Sequence, residues 1–182
     1  MNYHNIETDS MLNGDGLRVV LWLAGCEHHC RNCQNPLTWN PEGGIKFDDS
    51  AWKEIQAELE KHYISGITFS GGDPLHPANR NEVLKLATLA KHLYGKSIWL
   101  YTGYDWEQIR RTPGIENIDV IVDGKFIEEL ADMNYPWAGS TNQRVIDVKK
   151  SLELGEVVLY TTEKMEEINH EDYCGCDAGK CC

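Results

Sequence analysis

Short apolar runs alternate with amphipathic helical segments along most of this chain, and that alternation limits its fold more than any other feature. The segment at 81–93 is the clearest helix, with apolar side chains at helical spacing. The pattern predicts strands at 17–24, 66–70, 97–101, 118–122, 144–148 and 156–161, and helices at 47–63, 81–93, 105–111 and near 126–131. Strands that alternate with helices form right-handed βαβ units around a parallel sheet. The expected fold class is therefore α/β.

Polar and glycine-rich segments follow four of the predicted strands, at 25–33, 70–74, 102–103 and 123–125. In parallel sheets the carboxyl ends of the strands meet at one edge, where ligands bind. We therefore expect these four segments to converge on a single site.

Charge and hydropathy exclude some classes of partner. The 182 residues include 17 Lys and Arg against 29 Asp and Glu, so the net charge is −12. Because there is no surplus of cations, binding to nucleic-acid phosphates is not expected. The longest apolar stretch, at 19–25, is too short to cross a bilayer, and the first residues do not resemble a signal peptide. We therefore predict a cytoplasmic protein with no membrane or nucleic-acid partner.

The cysteines fall into two groups, and there are seven of them. An odd number without an export signal makes a disulfide framework the weaker interpretation, whereas clustered thiols in a reducing compartment indicate metal or redox chemistry. One group lies within eight residues and the other within the last nine: Cys26, Cys30 and Cys33, and then Cys174, Cys176, Cys181 and Cys182.

The first group forms a C-x3-C-x2-C loop directly after a predicted strand. Such a loop can wrap one cuboidal iron–sulfur cluster, whose irons take thiolate ligands. A four-iron cluster needs a fourth ligand, so either the carboxyl-terminal cysteines supply it or one iron stays open for a substrate. Two other interpretations stay open: a zinc site with His28 or His29 as the fourth ligand, and three unrelated thiols.

The residues around this loop resemble a known superfamily. The C-x3-C-x2-C loop resembles the signature of radical S-adenosylmethionine (radical SAM) enzymes. Gly71-Gly72-Asp73-Pro74 is similar to the GGE-type motif of that superfamily, which holds the amino group of the methionine moiety. The segment at 13–18 is similar to the one that precedes the cluster loop in glycyl-radical-enzyme activases.

Further segments narrow the resemblance to one family. The segments at 33–35, 38–39, 70–77, 99–104, 122–126 and 139–144 together resemble the activating proteins of anaerobic (class III) ribonucleoside-triphosphate reductase. The resemblance spans about residues 1–150. It departs at Asn32, where many relatives carry an aromatic residue, and in the Cys-rich tail, which has no counterpart in the shorter members.

This resemblance implies an activity, cofactors and partners. A radical SAM activase cleaves SAM reductively at a [4Fe-4S] cluster, and the 5′-deoxyadenosyl radical abstracts a hydrogen atom from a glycine of the reductase. The chain is thus expected to be an oxidoreductase that uses a [4Fe-4S] cluster and SAM. Its partners are expected to be the reductase, as protein substrate, and reduced flavodoxin or ferredoxin, as electron donor. The alternatives are an activase of the pyruvate formate-lyase type, and a non-catalytic iron–sulfur electron carrier or zinc-binding module.

The resemblance also assigns roles within the cysteine loop. Cys26, Cys30 and Cys33 are expected to bind the cluster, and the amino and carboxylate groups of SAM to chelate its open iron. The backbone of Asn32, Cys33 and Gln34 is expected beside that iron. His28 and His29 are expected to be surface histidines that tune the potential of the cluster.

Two more segments complete the expected site. Gly71 and Gly72 allow close approach of the backbone to a ligand, their carbonyls can accept hydrogen bonds from an ammonium group, and Asp73 adds negative charge. By similarity to activases, Asp123 is expected to bind the ribose hydroxyls and Lys125 the SAM carboxylate. The alternatives are a plain strand-to-helix turn for the glycines, and a strand-end salt bridge or solvated charges for Asp123 and Lys125.

Chain length limits the size of the expected architecture. A full (β/α) barrel takes roughly 250 residues, so the chain has room for about five or six βα units. We therefore predict an incomplete, open-sided parallel (β/α) barrel of the radical SAM type, which would admit a glycine-bearing loop of a protein substrate. This activase domain is expected to cover 1–161. The acidic, Cys-rich segment at 162–182 is expected to be a tail that is unstructured, metal-binding or redox-active.

Overall fold

The computed structural model describes residues 1–161. The expectations for 162–182, including those for its four cysteines, lie outside the described residues. The strands are β1 (Asn2–Ser10), β2 (Arg18–Leu23), β3 (Ile45–Lys46), β4 (Gly66–Gly71), β5 (Ser97–Tyr101), β6 (Val120–Asp123) and β7 (Arg144–Asp147). The α-helices are α1 (Asp49–Leu59), α2 (Arg80–Tyr94), α3 (Trp106–Ile109) and α4 (Val148–Leu154), and short 3-10 helices lie at Pro36–Thr38, Ile115–Asn117 and Glu128–Leu130.

The seven strands form one sheet in the order β3-β1-β2-β4-β5-β6-β7. The central strands β2, β4, β5 and β6 are parallel, as the alternation of strands and helices predicted. On either side of this parallel core the pairing changes direction: β1 is antiparallel to β2, and β7 is antiparallel to β6. The α/β class is confirmed.

The predicted open-sided (β/α) barrel is wrong. The sheet is an open, mixed sheet that does not close on itself. Closure requires parallel strands to continue around the barrel, but only four of the seven strands in residues 1–161 are parallel to one another. Each edge of that parallel core is instead covered by an antiparallel strand, which ends the βα repeat.

Most of the predicted elements are confirmed, and the exceptions lie outside the four parallel strands. Strands β2, β4, β5, β6 and β7 and helices α1 to α3 lie at their predicted positions. Strand β1 was not predicted, because its nine residues, NYHNIETDS, lack an apolar alternation and are mostly half-buried or exposed. The segment at 156–161 forms only a single bridge, between Leu159 and Ile146. The segment near 126–131 contains only a 3-10 turn, and α4 was not predicted.

The two faces of the sheet carry different hydrophobic clusters. Side chains alternate between faces along a strand, so Ile98 and Leu100 join the main core with α1 and α2. Trp99, on the same strand, belongs to a smaller cluster with Val122 and Val145. Trp137, from the loop after β6, packs edge-on against Trp99 at a ring distance of 5.1 Å. This loop therefore lies over the face of the sheet that the helices leave free.

A buried arginine joins the amino ends of the central strands. Arg18 is fully buried, and its guanidinium donates to Thr68 Oγ1, to Ser97 Oγ and to the backbone carbonyls of Asp15, Ile67 and Ser97. Burial lowers the pKa of Arg18 to about 10, so the group is still charged at neutral pH. It lies over the Trp99 ring at 5.5 Å. Carbonyl and hydroxyl dipoles and the face of the Trp99 ring thus stabilise the positive charge of the guanidinium.

Replacing Arg18 by methionine is expected to lower the free energy of unfolding by about 3 kcal/mol, because several buried acceptors lose their donor. Urea denaturation followed by circular dichroism measures this loss. The control Arg111→Met removes an exposed arginine, and it is expected to change stability by less than about 0.5 kcal/mol. Equal losses in the two variants would contradict the role given to Arg18.

Candidate functional site

A cleft of about 880 Å³ opens where the carboxyl ends of the parallel strands meet. Each of the four polar segments supplies wall residues: Cys26, Cys30 and Cys33 after β2, Gly71 and Gly72 at the end of β4, Thr102 and Gly103 after β5, and Gly124 after β6. The predicted convergence of these segments is confirmed. The loop at 131–139 and residues 11–13 form a further part of the wall.

The cysteine loop is tied to the chain that follows it. Gly25, with φ +105°, turns the backbone out of β2, and its N–H donates to Thr38 O at 2.7 Å. The N–H of Cys26 donates to Trp39 O at 3.0 Å. Within the loop, His29 and Asn32 have left-handed backbone conformations, with φ +47° and +50°. Asparagine adopts this conformation more readily than aromatic residues do, which suits Asn32 to this position.

The exposed side of the loop contacts the short 3-10 helix after β6. Arg31 Nε lies 3.1 Å from Glu128 Oε2, and its Nη1 lies 3.4 Å from Glu129 Oε1. The Asn32 amide donates to Glu128. The Asn32 side chain therefore points to this helix, whereas Gln34 lines the cleft.

The three thiols of the loop are half-buried and form no disulfide. Burial, with a smaller contribution from the neighbouring Asp73, Cys30 and Cys33, raises the pKa of Cys26 to about 11, although a hydrogen bond from the backbone of His28 acts in the opposite direction. A thiolate at Cys26 would therefore need a cationic partner, such as bound iron. In residues 1–161, no three His, Cys, Asp or Glu side chains are grouped closely enough to hold a single ion. Cys26, Cys30 and Cys33 nevertheless line one cleft, and thiolates are the donors that an iron–sulfur cluster takes, so the residues present fit a cluster.

The Gly71–Gly72 turn packs directly against the start of the cysteine loop. Gly71 has φ +98°, and a Cβ there would lie 2.6 Å from Leu23 N. A Cβ on Gly72 would lie 2.5 Å from Gly25 O. The N–H of Gly72 donates to Leu23 O, and that of Asp73 to Gly25 O. Both glycines are thus required by the chain's own packing.

Asp73 lies beneath the cleft with its carboxylate engaged by protein donors. It is 2% exposed. Its oxygens accept hydrogen bonds from Leu75 N at 2.7 Å, Thr102 Oγ1 at 2.9 and 3.0 Å, and Gly103 N at 3.0 Å. A further contact, to His28 Nε2, measures 2.5 Å. The carboxylate thus joins the cysteine loop to the ends of β4 and β5.

The expectation that His28 is a surface histidine is wrong, because only 6% of its side chain is exposed. Its ring packs edge-on against Tyr104 at 4.6 Å, and the Tyr104 hydroxyl bonds to Glu27. His29 is exposed, as expected. Sequence reasoning missed His28 because its partner is 45 residues away. Asp73 could have indicated this contact, since a buried carboxylate needs hydrogen-bond donors from elsewhere in the chain.

Asp123 is the acidic member of a strand-end ion pair. It is 1% exposed and accepts hydrogen bonds from Trp106 N at 2.7 Å, Arg144 Nε at 3.0 Å and Arg144 Nη2 at 2.5 Å. Arg144 also contacts Glu107 at 3.0 Å. The hydrogen bonds to Asp123 and Glu107 raise the pKa of Arg144 above its usual value. Both Asp123 oxygens are therefore engaged inside the protein.

Replacing Arg144 by alanine is expected to lower the free energy of unfolding by about 2–3 kcal/mol, because it leaves the buried Asp123 carboxylate without its cation. The guanidinium is one-third exposed, so water partly compensates for the loss. Glu107→Gln is the matched control, since it removes only the exposed partner, and a loss below about 1 kcal/mol is expected. Thermal and urea unfolding measure both, and a larger loss in Glu107→Gln would contradict this assignment.

Lys125 lies in a second cleft, of about 700 Å³, which shares His28 and Gly103 with the first. Two side chains hold the loop that carries Lys125. Asn142 Nδ2 donates to Lys125 O at 2.8 Å, and Gln143 Nε2 donates to Gly124 O at 3.0 Å. Residues 142–144 of the late polar segment thus hold the end of β6 in place.

Comparisons with known proteins identify relatives of this chain. A family model for a 4Fe-4S single cluster domain matches residues 12–146. The anaerobic ribonucleoside-triphosphate reductase-activating protein of Enterobacteria phage T4 is 43% identical over 146 residues, which cover 80% of this chain and 93% of that protein. The chain belongs to this family of activating proteins. Members from Vibrio cholerae and Escherichia coli K12 are 40% and 39% identical, over 79% and 80% of this chain and 96% and 97% of their own.

Membership of this family confirms the resemblance to the activating proteins of anaerobic ribonucleoside-triphosphate reductase. The matched region, 12–146, contains the three-cysteine loop, the Gly71–Gly72 turn and the loop of Lys125. The cleft is therefore part of the 4Fe-4S single cluster domain. Among the helices of residues 1–161, none combines the length and the hydropathy of a membrane span.

Proposed function

We propose that this chain generates a glycyl radical on an anaerobic ribonucleoside-triphosphate reductase by reductive cleavage of SAM at a [4Fe-4S] cluster. One observation carries the proposal: the thiols of Cys26, Cys30 and Cys33 and the Gly71–Gly72 turn line the same cleft. The function for which the relatives are named supports the reductase as partner, and the family model supports the cluster.

In this proposal, the three thiolates of Cys26, Cys30 and Cys33 hold the cluster and leave one iron without a protein ligand. A [4Fe-4S] cluster held by these residues would supply the electron for cleavage of the sulfonium C–S bond of SAM to methionine and a 5′-deoxyadenosyl radical, which would take a hydrogen atom from a glycine of the reductase. The backbone carbonyls of Gly71 and Gly72 accept hydrogen bonds from the ammonium group of SAM. The backbone of residues 32–34 forms the adjoining side of the pocket.

Part of the cleft wall is apolar. Trp22, Tyr101, Phe126 and Trp137 all line it. Aromatic rings at these positions exclude water from the proposed pocket. The cleft thus combines three cysteine side chains with a largely apolar wall.

Charged residues divide into two roles. Asp73 and Asp123 have their oxygens engaged by protein donors, so we assign them to shaping the pocket from behind. Lys125 is exposed in the adjoining cleft, and we assign its ammonium to the carboxylate of SAM. Unchanged SAM affinity in Lys125→Ala would remove Lys125 from the site.

Protein partners must reach this cleft from solvent. Met11, Leu12 and Met133 line it and are 70%, 84% and 99% exposed. A glycine-bearing loop of the reductase is proposed to enter on this side, and a reduced flavodoxin or ferredoxin to donate the electron.

The deciding experiment combines product analysis with spectroscopy. The protein is reconstituted anaerobically with iron and sulfide, reduced, and mixed with SAM, with and without the reductase. Chromatography quantifies 5′-deoxyadenosine and methionine, and EPR detects the glycyl radical, whose splitting collapses when the reductase is labelled with deuterated glycine. Both products and the radical are expected.

Each alternative function has its own outcome. A radical on pyruvate formate-lyase but not on the reductase would favour the other activase class. A reducible cluster that gives no 5′-deoxyadenosine, even with the reductase present, would favour an electron carrier.

A further inference from the structure

The side chain of a buried histidine extends from the cysteine loop to the carboxyl ends of the strands. His28 lies between Cys26 and Cys30, and 6% of its side chain is exposed. Its Nε2 lies 2.5 Å from Oδ2 of Asp73, the residue that follows the Gly71–Gly72 turn. One side chain therefore connects the two segments that line the proposed cluster pocket.

The acceptor of this hydrogen bond is itself fixed. Asp73 accepts from two backbone N–H groups, those of Leu75 and Gly103, and from the Thr102 hydroxyl. These donors belong to the segments that follow β4 and β5. Because the carboxylate cannot rotate without breaking several hydrogen bonds, it provides a rigid anchor for His28.

The imidazole ring is also enclosed on its sides. A Cβ on Gly103 would overlap the ring, so glycine is required there. Tyr104 packs edge-on against the ring, and its hydroxyl bonds to Glu27, the residue before His28. These contacts hold the ring in one position, where it lines both clefts.

Other side-chain links of the loop are much weaker anchors. The Arg31 side chain is 77% exposed in its pairs with Glu128 and Glu129. Exposed ion pairs contribute little to holding a segment in place. In the part of the chain that the structure describes, the buried His28–Asp73 contact is therefore the stronger link between the loop and the strand ends.

We propose that His28 is a positioning residue that acts through Asp73 to fix the cluster-binding loop against the Gly71–Gly72 turn, an inference that rests on the proposed function. Residues that hydrogen-bond behind metal ligands set the position of those ligands. His28 performs this role for a whole loop. It thereby sets the distance between the cluster and the ligand held by the turn.

The test compares two substitutions of similar size. Glutamine can place an amide N–H near the position of the imidazole Nε2, whereas leucine fills the space without a donor. His28→Gln and His28→Leu therefore differ mainly in the hydrogen bond to Asp73. His29→Asn is the matched control, since it changes the exposed neighbour and asparagine tolerates its φ of +47°.

Two readouts are taken from the reconstituted full-length protein. The first is the rate at which a chelator removes iron in the absence of SAM. The second is the SAM concentration that half-saturates the change in the EPR spectrum of the reduced cluster. His28→Leu is expected to lose iron about tenfold faster and to need about tenfold more SAM, with His28→Gln close to wild type.

The outcomes separate this inference from the proposed function. Wild-type values in His28→Leu, or equal defects in His28→Leu and His29→Asn, would overturn the inference while SAM binding stands. A wild-type spectrum that does not respond to SAM would overturn the proposed function, and the iron-release rates would still decide whether His28 fixes the loop. If His28→Leu does not fold, Thr102→Val replaces it, because Thr102 is the other side-chain donor to Asp73.

Discussion

Replacing Cys30 by serine is expected to abolish the iron–sulfur absorption and to lower 5′-deoxyadenosine formation more than about 100-fold. Cys30 lies in the middle of the loop and lines the cleft with Cys26 and Cys33. Its backbone carbonyl accepts from Cys33 N at 3.1 Å, and serine keeps that hydrogen bond and nearly the same volume. A serine hydroxyl, however, is a far poorer ligand for cluster iron than a thiolate. The measurements are bound iron, visible absorption and product formation.

The matched control replaces cysteines outside the loop. The variant with Cys174, Cys176, Cys181 and Cys182 all changed to serine is expected to keep its iron and its activity. Loss of the cluster in this variant would mean that the carboxyl-terminal cysteines supply the fourth ligand, and it would contradict an iron left open for SAM. A Cys30→Ser protein that kept its cluster would remove the loop from the site altogether.

The sequence pattern predicted most strands but not their directions. An apolar run such as Val19–Val20–Leu21 reads the same whether its neighbour is parallel or antiparallel, since only backbone pairing distinguishes them. The direction of β7 depends on its pairing with β6, and the existence of β1 depends on its pairing with β2. Both pairings join segments whose contact the sequence pattern does not indicate. Because these two strands are antiparallel to the parallel core, the sheet is open and the expected barrel does not form.

Some residues of the site could likewise be predicted from the sequence, and others could not. The cysteines and glycines were found because each acts within a short motif, at C-x3-C-x2-C and at Gly71–Gly72. The partners of the two buried carboxylates were not found, because they are distant in sequence. His28 and Asp73 are 45 residues apart, and Asp123 and Arg144 are 21 residues apart. Motifs thus located the cysteines and glycines that line the cleft, whereas the partners of the buried carboxylates required the fold.

Changing Gly71 to alanine is expected to lower the free energy of unfolding by about 4 kcal/mol, from backbone strain and from steric overlap together. Gly71 has φ +98°, which side-chain-bearing residues rarely adopt. Its new Cβ would lie 2.6 Å from Leu23 N and 2.9 Å from Leu23 O. These are backbone atoms of the paired strand β2, so no flexible side chain can move to make room.

Gly95→Ala provides the control for backbone strain alone. Gly95 ends α2 with φ +62°, and a Cβ there would meet nothing within 4 Å. A loss of about 1 kcal/mol is expected. Urea unfolding of the cluster-free protein measures both variants without any contribution from bound ligands. Gly71 contacts β2, the strand that leads into the cysteine loop. A larger loss of unfolding free energy in cluster-free Gly71→Ala than in cluster-free Gly95→Ala would therefore show that the chain's own packing requires Gly71. Equal losses in the two variants would instead mean that Gly71 is required only when a ligand is bound.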